Sequence, residues 1–293
     1  MSRIFIDRRK AAAYGHEAVA ITRTGSYVAP SGKPVSIVDA AAAARTGTIT
    51  HAPDEHVSVP AARVSSTTIT VENTTTLAAA SALVRAGHDV AALNFASAKN
   101  PGGGFLGGAL AQEESLCRAS ALYACLEGSP MYAYHRTRHD PIYASWVIWS
   151  PGVPVFRGDD GALLEEPFTC AFLTSPAPNA GALGDRTPLA GGRVRSAIRE
   201  RVARVLAIAA HHGHDALVLG AWGCGVFRCD PTMVADEMAS ALAGPFAGRF
   251  AAVTFAIVDE RPEQSVIGPF QRRLVSPGQK RVSPVRSTDT PDP

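Results

Sequence analysis

Apolar and polar positions change rhythm near Ser66, and from there the chain alternates between two patterns. Residues 67–71 are β-branched, 74–86 are alanine-rich at helical spacing and 90–95 are an apolar run, so they predict strand, helix and strand in one βαβ-like unit. The alternation continues with a helix over 115–126 and strands near 144–149, 154–156 and 170–173. A long arginine-rich helix over 193–211 precedes a strand at 216–219; a helix at 232–243 then leads to a strand at 251–258, and 264–274 closes the pattern as a helix. Strands flanked by helices throughout predict an α/β fold with a mixed or largely parallel sheet covered on both faces. Ligands of such sheets bind outside the carboxyl ends of the strands.

The flanks read differently. Residues 3–22 predict a helix, and the breaker-rich stretch 25–34 suits short strands or a hairpin. We expect 1–60 to be an N-terminal helical extension packed on a main domain of 61–275, and 276–293, rich in Pro, Ser, Thr and charge, to be a disordered tail.

Composition narrows the classes of function. At 293 residues the chain can bury a sizeable core, and its 46% hydrophobic against 18% charged residues leave little room for a polybasic surface. The net charge of +2 argues against direct binding of duplex nucleic acid, which usually shows as a basic stripe. The first ten residues carry positive charge with no apolar stretch behind them, and no run approaches a membrane span, so neither secretion nor a membrane partner is expected. Cys117, Cys125, Cys170, Cys224 and Cys229 form an odd set without a CxxC pair, which fits reduced thiols and an expected cytoplasmic location.

The chemistry gathers in two glycine-rich loops. Gly102, Gly104 and Gly107 satisfy the dinucleotide fingerprint G-x-G-x-x-G, between a predicted strand and a predicted helix. In that motif the pyrophosphate rests on the free N–H groups of the helix start, yet here that place holds Gln112, Glu113 and Glu114. Two carboxylates there would repel a plain nucleotide. Acids in a first helical turn are common because the helix dipole favours them, and three consecutive glycines can be only a hinge. Set together beside a ligand anion, however, they suit catalysis, since repulsion and partial burial both raise a carboxyl's pKa toward that of a proton carrier. A second loop, Gly220 to Phe227, follows the strand 216–219 with three glycines, and its successive amides can form an anion nest. Phe227 reads either as a core residue or as an apolar wall for a sugar or base.

These residues resemble a known family. Gly102-Gly103-Gly104, seven residues, then Gln112-Glu113-Glu114 is similar to the signature of poly(ADP-ribose) glycohydrolases, and the segment from Asn94 to Pro101 resembles the microbial type. The resemblance, which runs from about residue 60 to 270, implies a macrodomain-like three-layer α/β/α sandwich with ADP-ribose in a cleft at the strand ends. It implies Glu114 as the catalytic acid, Glu113 as holder of the ribose on the adenosine side of the scissile bond and Gln112 as support for the same loop. By the same likeness Gly102, Gly103 and Gly104 pass close to the distal ribose and phosphates, while Gly223, Cys224, Gly225 and Val226 offer backbone N–H groups to the diphosphate and Phe227 packs on the terminal ribose. Many macrodomains carry Asn where this chain has Ser97, a departure that points to Asn100 for the ribose contact. Poly(ADP-ribose), ADP-ribose and ADP-ribosylated proteins are the partners implied, with a part in reversing ADP-ribosylation such as the DNA damage response requires. The expected enzyme is a monomer with no cofactor and no metal.

Other candidates read as structural. His211, His212 and His214 end a helix, where the dipole favours cations; His135 and His139 could share a zinc ion only on a helix, in a stretch that ends at proline. Arg193, Arg195, Arg199, Arg201 and Arg204 read as the solvated face of an amphipathic helix. Cys224 has no evident histidine partner. Two other functions compete: removal of single ADP-ribose groups, and non-catalytic ADP-ribose binding. The second gains nothing from Glu113 and Glu114.

Overall fold

The computed structural model describes residues 6–183 and 188–275; the tail expected to be disordered lies outside the described residues. In α1 (Arg8–Thr24) the Asp7 side chain caps the start by accepting from the Lys10 amide, and Gly25, at φ 74°, ends it. A hairpin of β1 (Ser26–Val28) and β2 (Pro34–Ser36), then α2 (Val38–Gly47) and β3 (Ile49–His51), complete the N-terminal elements. There follow β4 (Thr68–Glu72), α3 (Thr76–Arg85), β5 (Val90–Phe95), α4 (Gln112–Ala119), α5 (Leu122–Leu126), α6 (Pro130–Arg136), β6 (Val147–Arg157) and β7 (Leu163–Ser175). The chain closes with α7 (Pro188–His211), β8 (Ala216–Leu219), α8 (Pro231–Ala243), β9 (Ala252–Ala256) and α9 (Ile267–Leu274).

The main sheet has the order β3-β6-β7-β5-β8-β9-β4. β7, β5, β8, β9 and β4 run parallel, while β6 is antiparallel to both β7 and β3, so the sheet is mixed. The period-2 rule explains how one strand serves two cores: Val90 and Ala92 of β5 pack on one face, Ala91 and Leu93 on the other. α1 to α5 cover the first face and α7 to α9 the second. β5 and β8 are therefore apolar at nearly every position, as strands buried on both faces must be. The fold is the α/β/α sandwich of the macrodomain type.

Three expectations need correction. The helix expected over 115–126 is two helices, because Ser120 turns extended (φ −147°, ψ 173°) and bridges to Val155 of β6. The strands near 144–149 and 154–156 are one bent strand, β6, whose register against β7 shifts between Ser150 and Val153. The arginines of α7 are not all solvated: Arg201 is 1% exposed and donates to the carbonyls of Pro176 (3.1 Å), Tyr143 (2.8 Å) and Ile142. A planar guanidinium with five donors can hold three loop carbonyls at once, which apolar patterning does not reveal. Arg195 and Arg199 both pair with Glu237 of α8, and Arg204 donates to the Glu55 carbonyl at 3.0 Å and to that of Ala52. Arg201→Ala is expected to orphan those buried carbonyls, cost about 3 kcal/mol and lower Tm by roughly 5–10 °C in thermal unfolding; an unchanged Tm would remove Arg201 from this role.

The histidines at the end of α7 join elements. His212 stacks on Trp149 of β6 (3.5 Å, 4°) with its Nε2 3.1 Å from His51 Nε2 of β3. His214 lies between the Trp149 indole N–H (2.9 Å) and Asp89 (2.9 Å). His135 is buried on α6, where its Nε2 accepts from the Ala144 amide at 3.0 Å, while His139 lies beyond the helix. No group of three His, Cys, Asp or Glu arranged for a metal ion occurs among the described residues.

Candidate active site

A cleft of about 1010 Å³ opens at the carboxyl ends of β4, β5, β8 and β9. It is large enough for an extended dinucleotide-sized ligand. Thr74 to Leu77, Phe95 to Ser97, Ala221 to Phe227 and Ala256 to Val258 line it, with Gln112, Glu113 and Glu114 from the start of α4.

Gln112 splices α4 to the end of β5. Its Oε1 accepts from the Phe95 amide at 2.9 Å, and its Nε2 donates to the Leu93 carbonyl at 2.8 Å and to Thr76 Oγ1 at 3.1 Å. A strand end loses its ladder partners, and this side-chain amide replaces them. Helical spacing then sets the next two residues into the floor of the cleft.

The two glutamates sit in different surroundings. Glu113 is 3% exposed; its Oε2 accepts from the Ser97 amide at 2.7 Å and its Oε1 faces Asn94 Nδ2 at 3.4 Å. Burial pushes its carboxyl up to about 8, with the Glu114 charge adding to the rise and the Ser97 N–H working against it. Glu114 is 9% exposed, and its Oε1 accepts from the Gly104 amide at 3.0 Å. The glycine loop is shaped around this side chain: Gly103 has φ 60°, and a Cβ on it would run into Glu114 Oε1. The loop rests in turn on α1, where a Cβ at Gly108 would collide with the Arg8 carbonyl.

Glu113 predicts a pH-dependent stability. An unfolded glutamate titrates near 4.5 and the folded one near 8, so between those values the folded chain keeps a proton that the unfolded chain releases. Stability contributed by the protonated carboxyl is complete below pH 4.5 and falls as pH rises to about 8. Glu113→Gln carries no such titration, and we expect it to raise Tm by about 5 °C at pH 8 and by nothing at pH 4. Equal shifts at both pH values would show that the carboxyl is not raised.

The second loop faces the glutamates. The indole N–H of Trp222, a fully buried side chain, donates to the Ser175 carbonyl at 3.2 Å and anchors the loop. Gly220 lies where a Cβ would strike the Ala256 carbonyl, and Gly223 has φ 78°. The amide of Cys224 is bonded to the Ala221 carbonyl at 3.1 Å, closing a turn, so it is not available to a ligand. The amides of Gly223, Gly225 and Val226 donate to no carbonyl among the described residues, and Val226 is 81% exposed. Phe227 is half-buried on the cleft wall, its ring 6.1 Å from that of Tyr143. Burial pushes the Cys224 thiol up, and its Sγ lies 3.7 Å from the Trp222 carbonyl, so it is an unreactive filler.

Not every expected site residue reaches the cleft. Asn100 is exposed and off its wall; Gly103 and Gly104 pack against Glu114, and the Gly102 amide donates to Glu113. Asn94 faces Glu113, Thr174 backs Asn94 and Thr76 accepts from Gln112, and none of the three was singled out as a site residue. One signal was present for Asn94: an amide inside the apolar run of a strand buried on both faces is rarely there without a partner.

Comparison with known proteins agrees with this geometry. Residues 15–158 match the family model described as microbial-type PARG, catalytic domain. The crystal structure of poly(ADP-ribose) glycohydrolase from Thermomonospora curvata shares 49% identity, covering 90% of this chain and 99% of that one with a TM-score of 0.85. The same enzyme bound to the inhibitor ADP-HPD aligns over the same shares at 49% identity with a TM-score of 0.83. The poly(ADP-ribose) glycohydrolase of Deinococcus radiodurans in complex with ADP-ribose shares 45% identity over 80% of this chain and 96% of that one, with a TM-score of 0.73. No curated protein matches the chain. With its buried glutamate pair at the carboxyl end of a macrodomain-type sheet and near-complete coverage of a relative at 49% identity, the chain belongs to the microbial-type poly(ADP-ribose) glycohydrolase family.

Proposed function

We propose that the chain hydrolyses ribose–ribose O-glycosidic bonds of poly(ADP-ribose) and releases ADP-ribose, with Glu114 as general acid and then general base. The observation that carries this reading is the pair of buried glutamates facing free backbone amides across one cleft. The amides of Gly223, Gly225 and Val226 suit the diphosphate, and Phe227 suits the terminal ribose. Glu114, held through one oxygen by Gly104, is the carboxyl free to meet the scissile oxygen. Glu113 is held at Oε2 by Ser97 and is deeper, which suits binding the neighbouring ribose.

The reaction balances with water alone. The Glu114 proton passes to the leaving ribose oxygen as the C–O bond breaks, leaving an oxocarbenium-like ribose and a carboxylate. Water adds to that carbon and returns a proton to the carboxylate, so the acid is regenerated. The nearby diphosphate stabilises the cation, which is why phosphate donors and acids share one cleft. Neighbouring helical residues do not face each other, so Glu113 and Glu114 divide labour rather than flank the bond as a separated pair. No cofactor and no metal enters this reading, and ADP-ribosylated proteins supply the polymer.

The test is release of ADP-ribose from purified poly(ADP-ribose), with ADP-ribose binding followed in parallel by calorimetry. Both are expected. Binding without release would point instead to a reader or to an enzyme for single ADP-ribose groups.

A further inference from the structure

Behind Glu113 lies a layer that the proposed reaction leaves unused. Asn94 of β5 and Thr174 of β7 are register partners in the parallel pair, and both are 0% exposed. Asn94 Nδ2 donates to Thr174 Oγ1 at 3.1 Å and to Glu113 Oε1 at 3.4 Å. A donor facing an ionised carboxylate normally sits at about 2.7–2.9 Å, so the longer contact suits a carboxyl that is not strongly charged. The opposite atom of the amide, Oδ1, is buried with no hydrogen-bond partner.

That unpartnered atom matters because the far end of a buried asparagine usually fixes which way its amide points. Here nothing does. Turning the amide by half a rotation exchanges oxygen and nitrogen without changing its shape: it reverses what faces Glu113 and Thr174 and moves the NH2 to the buried side where Oδ1 has no partner. With nitrogen forward, the amide donates to an ionised Glu113 and to the Thr174 hydroxyl oxygen. With oxygen forward, it accepts the proton of a neutral Glu113 and the Thr174 hydroxyl proton. The threonine hydroxyl, donor and acceptor in one group, follows either arrangement.

We propose that Asn94, with Thr174, is an ambident positioning residue that holds Glu113 in one place in both its protonated and its ionised form. The proposal rests on the reading of Glu114 as the reactive acid and Glu113 as the holder of the neighbouring ribose. Its use is plain: arrival of an anionic diphosphate and loss of the Glu114 proton each change the charge Glu113 feels, and beside the fixed Ser97 N–H a neighbour that can either donate or accept follows the carboxyl in both states. Glu114 and Cys117 face Glu113 from α4, Tyr132 from α6 and the Ser97 amide from the strand end. Burial pushes the Cys117 thiol and the Tyr132 phenol well up, so both stay neutral, and Glu114 is the other carboxyl that faces Glu113 from these elements.

Nuclear magnetic resonance of the full chain decides the matter without depending on activity. The Asn94 side-chain amide, assigned by its loss in Asn94→Leu, should change shift with the same midpoint as the Glu113 carboxyl and stay constant in Glu113→Gln. An amide that does not follow Glu113 overturns the proposal. Kinetics adds a second measurement: Asn94→Leu should lower kcat about tenfold and alter the pH profile, as misplacement of a catalytic group does. A drop in Tm with the pH profile and kcat unchanged would mean that Asn94 is structural only. Were the wild type to release no ADP-ribose, the proposed function would fail while the resonance titration still answered for Asn94.

Discussion

Glu114→Gln is expected to lose hydrolysis of poly(ADP-ribose) by roughly 10² to 10⁴-fold while its affinity for ADP-ribose stays within a few-fold. The amide keeps the length and shape of the carboxyl, and its oxygen can still accept from the Gly104 amide. The loop therefore keeps its form, and the free amides of Gly223, Gly225 and Val226 are untouched. In the proposed mechanism the variant lacks the proton for the leaving oxygen and the carboxylate that activates water. Steady-state release of ADP-ribose measures the loss, and calorimetry with ADP-ribose measures the binding that should survive. Near-normal turnover in this variant would remove Glu114 from the chemistry and shift attention to Glu113.

Gly103→Ala should produce the second largest effect, a fall in kcat on the order of 10²-fold. Two costs combine. The residue is held at φ 60°, where an L side chain costs about 1–2 kcal/mol, and its new methyl would occupy the place of Glu114 Oε1. The carboxyl must then move, and a displacement of about 1 Å in a catalytic group is enough for a loss of that size. A control is built into the structure: Gly107 has open space around the position of an added Cβ, so Gly107→Ala should leave turnover near normal. If Gly103→Ala is as active as the wild type, the glycines serve the ligand or the turn, and not Glu114.

These two expectations show how the site was divided between sequence and structure. The order of strands and helices was legible because strands buried on both faces leave an apolar record: residues 90–95 and 216–219 are the observed β5 and β8. The Gln112-Glu113-Glu114 signature and the second loop were legible for a different reason. Charge where an anion-binding loop should have none is a chemical contradiction that the chain itself displays. Local breaks were not legible, since the split at Ser120 depends on a bridge to Val155, 35 positions away. Nor was the inward turn of Arg201, because its partners are carbonyls, which every residue carries alike.

The sequence by itself determined the class of fold, which follows from periodicity, and it pointed to the strand ends and to Glu113 and Glu114 through residue type and family resemblance. Only the tertiary structure decided how the two acids differ. Glu113 and Glu114 are chemically the same and adjacent, yet one is pressed against Ser97 and Asn94 with its proton retained to about pH 8, and the other is held by a glycine backbone at the cleft. Solvent exclusion and the direction of a few N–H groups set that difference. They arise from chain segments brought together by packing, and α1, Asn94 and Thr174 acquire their influence on the site in the same way.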